Sequence, residues 1–571
     1  MAPRLRVLLL VVSLVLVGVV LYAWILHRGG AAAGGDIALG YDVPDVIDEA
    51  PPASQSFTLD AFRPLHPSLF EVVAGIRAAA DDDHVHALVL HVGEVEWGWG
   101  RLAEMREAIA DFRAAGKPVY VSLQGGGNES CLLASRATRI AMPPTTTLGL
   151  DGLAISAVFL KGTYDKLGIS PNFAHVGQFK SAVEQYTRSD LSPPARLALQ
   201  SLLDDDYSLL VDSLAAARGT TPDRMRALID DGPFTASDAQ HAGLIDTLLD
   251  APGLDSLAAG PERLPLVTLA RYLDRLPEAG GPAEIAVVPA SGAIVSGRSR
   301  DGGWAGAAVG SETLVRTLRE LRERRSVRAV ILRVDSPGGS GDASDDIWQE
   351  VRRLRRVKPV VVSMSNLAAS GGYYIACGAD AIVAEPATIT GSIGVFGGKL
   401  NILGLYRKLG LNVETLSRGR HADMMSPYRD FTPEEAARYQ QQLESFYRVF
   451  VSRVAQGRGL TTAEVDSIGQ GRVWSGAAAR RLGLVDTLGG LGLAASIARS
   501  RAHLEGLRAP LVLEPRPSRY DFRHFFSSVL DEGDDETKLT TLPPVVSAWL
   551  RAATFPTGVA LAMLPYSIEI R

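Results

Sequence analysis

KPVVVSMSNLAASGGYYIACGADAIVAEP (Lys358–Pro386) and KPVYVSLQGGGNESCLLASRATRIAMPP (Lys117–Pro144) share one order of parts. Each runs from Lys-Pro through a Val-rich stretch, a turn, a short apolar segment and a second apolar stretch closed by proline. Aligned on ACGADAIVAEP and ASRATRIAMPP, the two are offset by 242 positions, Ala134 to Ala376. AGLIDTLLD (242–250) recurs as LGLVDTLGG (482–490) at an offset of 240. An offset kept over such a distance marks an internal duplication.

In the second half, EIAVVPASGAIV (284–295), RAVILRVDS (328–336), KPVVVSMS (358–365) and DAIVAE (380–385) are short runs rich in Val and Ile, which reads as strands. Between them, SETLVRTLRELRERR (311–325) and SGDASDDIWQEVRRLRR (340–356) carry apolar residues at helical spacing, with serine at the start and basic residues at the end. Strands apolar throughout and alternating with helices predict an α/β fold with mainly parallel, buried sheets. The expected organisation is a cytoplasmic tip and anchor over 1–28, a linker over 29–59, an N-terminal repeat over 60–251 and a connection over 252–283. A C-terminal repeat over 284–500 and an extension over 501–571 complete it. LVTLARYLDRL (266–276) reads as a short helix within the connection.

A chain of 571 residues exceeds one ordinary core, so at least two domains are expected. A net charge of −6 gives no basic balance toward nucleic acid. Cys131 and Cys377 allow one bridge at most and read as buried small apolar residues. Residues 7–26, VLLLVVSLVLVGVVLYAWIL, hold no charge over 20 positions and match the thickness of a bilayer core, so this segment reads as a contact with the lipid bilayer. Ala31–Ala33 could serve as a cleavage site, but the run is long for a secretory signal, and an uncleaved anchor is the expectation. Arg4 and Arg6 before it place the amino terminus in the cytoplasm and the bulk of the chain outside.

Ser370 stands where a strand gives way to an apolar helix, a place that favours developing negative charge but also the ordinary place for an N-cap. DSPGGS (335–340) is another strand end; its glycines suit an oxyanion hole and equally suit a plain turn. The ten histidines show no triad spacing, and HExxH, CxxC, GxSxG, a P-loop and a dinucleotide fingerprint are all lacking, so no metal or cofactor is expected. A lysine held neutral by burial is the other base for a serine. Lys180, in HVGQFKSAVEQ, reads by itself as a surface residue. The duplication adds information: at the 242 offset Ser370 falls on Asn128 and Lys180 on Ala422, so each half holds one piece and lacks the other. A composite site across the halves accounts for that, as does drift of two structural modules.

VGQFKSAVE, DSPGGS, ASGGYYIACGAD and PATITGSIGVFGG, in this order over roughly residues 60–500, resemble the long, two-repeat form of signal peptide peptidase A. These are membrane-bound Ser/Lys proteases of the Clp protease/crotonase-like fold. The resemblance implies Ser370 as nucleophile, Lys180 as general base and Ser392 as the serine that orients the lysine. It implies oxyanion donors among the backbone N–H groups of Gly339, Gly371 and Gly338. It further implies a homotetramer, peptide substrates such as cleaved signal peptides, and a bacterial-type inner membrane with the catalytic part on the extracytoplasmic side. A catalytically inactive membrane scaffold and a crotonase-like acyl-CoA enzyme are the competing expectations.

Overall fold

The computed structural model describes residues 35–51, 67–276, 281–301, 307–507, 509–515 and 560–563. The expected membrane segment 7–26 lies outside them, and no described helix is long and apolar enough to cross a membrane.

The first half builds β1 (Ile37–Val43), α1 (Leu69–Asp81), β2 (Val85–Val92), α2 (Trp99–Ala114), β3 (Val119–Leu123), α3 (Asn128–Ala134) and β4 (Arg139–Met142). The four strands pair in parallel in that order. Leu266–Thr268 extends the sheet beyond β1, and Thr247–Leu248 extends it beyond β4. Two expectations change here. The 29–59 stretch, expected as a linker, supplies β1, and the 252–283 connection supplies an edge strand. The helix read over 266–276 shortens to Leu269–Leu273 because the preceding three residues pair with β1. IALGYDV is short and broken by Gly40, which hides it as a strand; a Cβ at Gly40 would come within 3.1 Å of the Leu266 side chain, so the edge strand packs closely against this glycine.

The first half also contributes β5 (Ser170–Val176) and α4 (Pro193–Arg218). The second half repeats the plan with β6 (Glu284–Ser291), β7 (Ala293–Val295), α5 (Ser311–Glu323), β8 (Val327–Ser336), β9 (Gly338–Ser340) and α6 (Gly341–Arg355). It continues with β10 (Val360–Ala369), α7 (Gly371–Ala376), β11 (Ala381–Ala384), β12 (Ile389–Gly391), β13 (Val395–Asn401) and α8 (Pro433–Arg458). Two short strands, β14 (Leu511–Leu513) and β15 (Leu561–Met563), come from the extension. β14, β6, β8 and β10 form a parallel run that continues to β11 and β12. Side chains alternate between its faces: Val330 and Leu332 enter one apolar cluster, Ala329 and Ile331 the other. The duplication reaches the caps. α4 and α8 both have 26 residues, both start with proline behind a Ser or Thr cap, and both stop at a left-handed glycine, Gly219 or Gly459.

A third sheet joins the halves. In it β7, β9, β15, β13 and β5 are neighbours in that order, with β13 and β5 antiparallel from Val395–Val176 to Asn401–Ser170. A buried polar seam adds to the join: Arg333 of β8 reaches Glu49 at 2.6 Å and Glu104 at 2.7 Å, both from the first half. Asn366 of β10 accepts from the N–H groups of Gly100 and Arg101 and donates to the Trp97 carbonyl at 2.7 Å.

Candidate active site

β10 is apolar and buried and ends at Ala369; the chain then turns sharply into α7, with Ser370 at the turn. Ser370 has φ 55° and ψ −111°, a conformation that costs a side-chain-bearing residue about 1–3 kcal/mol. Two backbone bonds hold it: its N–H donates to the Gly391 carbonyl at 2.8 Å, and its carbonyl accepts from the Tyr374 N–H at 2.8 Å. Its side chain makes no capping bond, so the N-cap account does not describe it. Oγ points instead to an amine from the other half of the chain.

Lys180 Nζ lies 2.7 Å from Ser370 Oγ and 2.9 Å from Ser392 Oγ, and donates to the Ser392 carbonyl at 3.2 Å. All three residues are 0% exposed. Lys180 is thus not the surface charge its local sequence suggests. Burial alone holds its amine well below the ordinary lysine range, since a charged ammonium would lose its hydration here. The placement follows from β5 pairing with β13, after which the chain turns at Gly177, φ +106°, and the Phe179 N–H donates to the Gln470 carbonyl at 2.8 Å. Gly471, φ +77°, lies so near that a Cβ there would be 2.6 Å from the Lys180 Cβ and backbone nitrogen. Ser392 also has positive φ, 51°, and its N–H donates to the Arg472 carbonyl at 2.7 Å.

On the far side of Ser370, β8 ends at Ser336 and the chain turns through Pro337 into β9. Ser336 Oγ donates to the Gly292 carbonyl at 2.7 Å and accepts from the Gly338 N–H at 3.2 Å. Gly338 therefore has its N–H engaged within its own turn. The Gly371 N–H opens α7, in the turn whose N–H groups lack partners within a helix. Gly372 must lack a side chain, since a Cβ would come within 2.7 Å of the Ser336 carbonyl oxygen. The arrangement brings Lys180, Ser370 and Ser392 together, with the Gly338–Gly339 turn against α7.

The sequence-level reading did not find the residues that hold these loops: Arg101, Asp335, Asn366, Gln470 and Gly471. Asp335 accepts from the Leu367 N–H at 3.1 Å and pairs with Arg101 of the first half. Asp335 lies inside the quoted DSPGGS motif, which was the one available signal.

The model of peptidase family S49 matches residues 111–252 and 352–505, one segment in each half. The chain belongs to peptidase family S49. It is 35% identical over 455 residues to the chloroplastic serine protease SPPA of Arabidopsis thaliana, covering 77% of this chain and 67% of that protein. Protease 4 of Salmonella typhi is 32% identical over 504 residues, covering 84% of this chain and 80% of the relative. Protease 4 of Haemophilus influenzae is 34% identical over 445 residues, with 74% and 71% covered. The chain is a serine protease of this family and not a crotonase-like acyl-CoA enzyme.

Proposed function

We propose that this peptidase works through a Ser370/Lys180 dyad assembled from both halves of the chain, one site per chain, on extended apolar peptides. The observation that carries the reading is the 2.7 Å contact between a fully buried lysine amine and a serine hydroxyl. Neutral Lys180 takes the proton of Ser370 Oγ as that oxygen bonds to the substrate carbonyl carbon. The carbonyl oxygen becomes an oxyanion, stabilised by the N–H groups of Gly339 and Gly371. The ammonium of Lys180 then protonates the amine leaving group as the C–N bond breaks. Water, deprotonated by the same amine, releases the acyl group from Ser370. Ser392 takes up the remaining donors of Lys180 through its hydroxyl and carbonyl, which fixes the rotamer that aims Nζ at Ser370.

The substrate class follows from family membership and from relatives; one, of Enterococcus faecium, is named a putative signal peptide peptidase SppA. Cleaved signal peptides and similar apolar segments in the cell envelope are the proposed substrates, with residues 7–26 as the anchor and a homotetramer as the assembly. The anchor supports a location at a bacterial-type inner membrane, with the site on the extracytoplasmic side. The Clp protease/crotonase-like classification rests on the sequence resemblance and on the repeated β-α-β order. A fluorophosphonate probe tests the dyad: it labels the wild type and neither Ser370→Ala nor Lys180→Ala. Equal labelling of Lys180→Ala and wild type overturns it.

A further inference from the structure

Among the described residues five non-glycines have positive φ, and three of them stand together: Ser370 at 55°, Ser392 at 51° and Gln470 at 51°. Such conformations persist only where the surroundings impose them, and they gather at functional sites. Ser370 and Ser392 belong to the catalytic trio, whereas Gln470 takes no part in the chemistry of the dyad. It lies in a turn, Gly469–Arg472, that holds both loops of the base. The Gln470 carbonyl accepts from the Phe179 N–H at 2.8 Å, and Gly471 backs Lys180. Arg472 Cζ lies 5.2 Å from the Phe179 ring centroid and 4.0 Å from that of Trp474, so Phe179, next to Lys180, is gripped from the same turn. Toward Ser392, the Gly471 N–H donates to the Ile393 carbonyl at 2.7 Å, and the Arg472 carbonyl accepts from the Ser392 N–H at 2.7 Å. One short turn thus sets Lys180 against the serine that orients it.

A polar network on two helices behind the turn fixes it. Tyr447 of α8, 7% exposed, donates its hydroxyl to Asp466 Oδ1 at 2.6 Å, and Asp466 lies on the helix Thr462–Ile468. Gln470 Nε2 donates to the same oxygen at 2.6 Å, and the Gln470 N–H donates to the Tyr447 hydroxyl at 3.3 Å. The side chain and the backbone of the strained residue are both pinned. The duplicated half shows that the fold does not require this. Thr221 and Thr461 cap equivalent helices at the 240 offset, yet Pro222–Asp231 runs on for 10 residues where Thr462–Ile468 stops after 7. At that offset Asp466 falls on Arg226, Gln470 on Asp230 and Gly471 on Asp231, so the half that receives no base loop has helix where the other has the turn. We infer that Tyr447 and Asp466 are positioning residues for the dyad: acting through Gln470, they hold the Gly469–Arg472 turn, which keeps Lys180 buried and aimed at Ser370. This role rests on the Ser370/Lys180 reading.

The test uses the full chain and steady-state hydrolysis of a fluorogenic apolar peptide. Tyr447→Phe and Asp466→Ala lower kcat about tenfold or more, and fluorophosphonate labelling of Ser370 slows in proportion. A loosened turn also lets water reach Nζ, so the amine that burial holds low recovers toward its ordinary range and the rising limb of the pH–kcat profile moves to higher pH. Asp466→Asn keeps an Oδ1 acceptor for both partners and returns kcat to within about threefold of wild type. Because Tyr447 works through Gln470, the double variant Tyr447→Phe/Gln470→Ala loses no more than about twofold beyond the worse single. A lower urea midpoint with kcat and limb unchanged marks a merely structural network and overturns the role, as do losses that multiply in the double variant; labelling that needs Lys180 then leaves the dyad standing. If Asp466→Ala does not fold, Tyr447→Phe, which removes one oxygen, decides. Lys180→Ala labelled at the wild-type rate strikes the dyad itself, and the positioning role with it.

Discussion

Gly471→Ala tests the composite site from a residue that touches neither substrate nor Ser370. A Cβ at this position would lie 2.6 Å from the Lys180 Cβ, 2.6 Å from its backbone nitrogen and 2.7 Å from its Cα, against 3.4–4 Å for ordinary contact. The obstructing atoms are mostly backbone, so the 177–183 loop has to retreat by about 1 Å, the amount that separates clash from contact. The φ of +77° adds strain of about 1–2 kcal/mol for alanine. The Lys180–Ser370 contact is at optimal length, 2.7 Å, and Nζ is tied to the same loop, so a 1 Å retreat of the base lowers kcat about 100-fold. The stability loss is about 1–3 kcal/mol, as for other overpacked sites. Steady-state hydrolysis of a fluorogenic peptide reads the first quantity and a urea midpoint reads the second. A folded Gly471→Ala enzyme with kcat within about threefold of wild type would show that the base is not held by this contact, and the geometry argued here would fail.

Lys180→Met abolishes probe labelling yet raises stability, because folding no longer has to strip a proton from an amine; the gain over wild type is absent above the ordinary lysine pKa of about 10.4, grows as pH falls below it, and levels off below the folded-state value, as urea midpoints across pH will read. For the same reason the wild-type kcat rises with pH through a folded-state pKa well below that of a free lysine, whereas a pH–rate profile without a limb below about 10 would contradict a buried neutral base. Ser392→Ala removes one of two Ser392 partners of Nζ and lowers kcat about 10-fold to 100-fold with probe labelling slowed in proportion, less than the loss of a general base itself. Arg333→Met leaves Glu104 buried without its cation and Glu49 with Arg101 as its remaining one, and costs about 3–5 kcal/mol near neutral pH by urea unfolding.

The repeat, the α/β class and the pair of halves were legible because they depend on local composition: β-branched runs and helical spacing survive in any window of the chain. Strands whose partners are distant were not. β1, β14 and β15 are three to seven residues long, and each is a strand because an open sheet edge or slot meets it, a fact with no local trace. The same reasoning covers Gly471 and Gln470, which serve as a floor for a loop nearly 300 positions earlier.

The duplication accounts for the rest of the site, and its register has a physical cause. α3 begins at Asn128 with Gly127 before it, while α7 begins at Gly371 with Ser370 before it, so by helix start the counterpart of Ser370 is Gly127 and by the following strand it is Asn128. Neither residue carries a hydroxyl. Asn128 is instead tied down by donating to the Gly152 carbonyl at 2.9 Å, a structural use of the vacated position. On the base side, the helix pairs that flank Lys180 shift the offset from 242 to 240, so its counterpart falls between Arg420 and Ala422. Arg420 is largely exposed and always charged, so it cannot act as a base. Each half therefore kept the fold and gave up half of the chemistry, and a substitution that separates the halves, such as Arg333→Met, removes activity and stability together where Ser370→Ala removes activity alone.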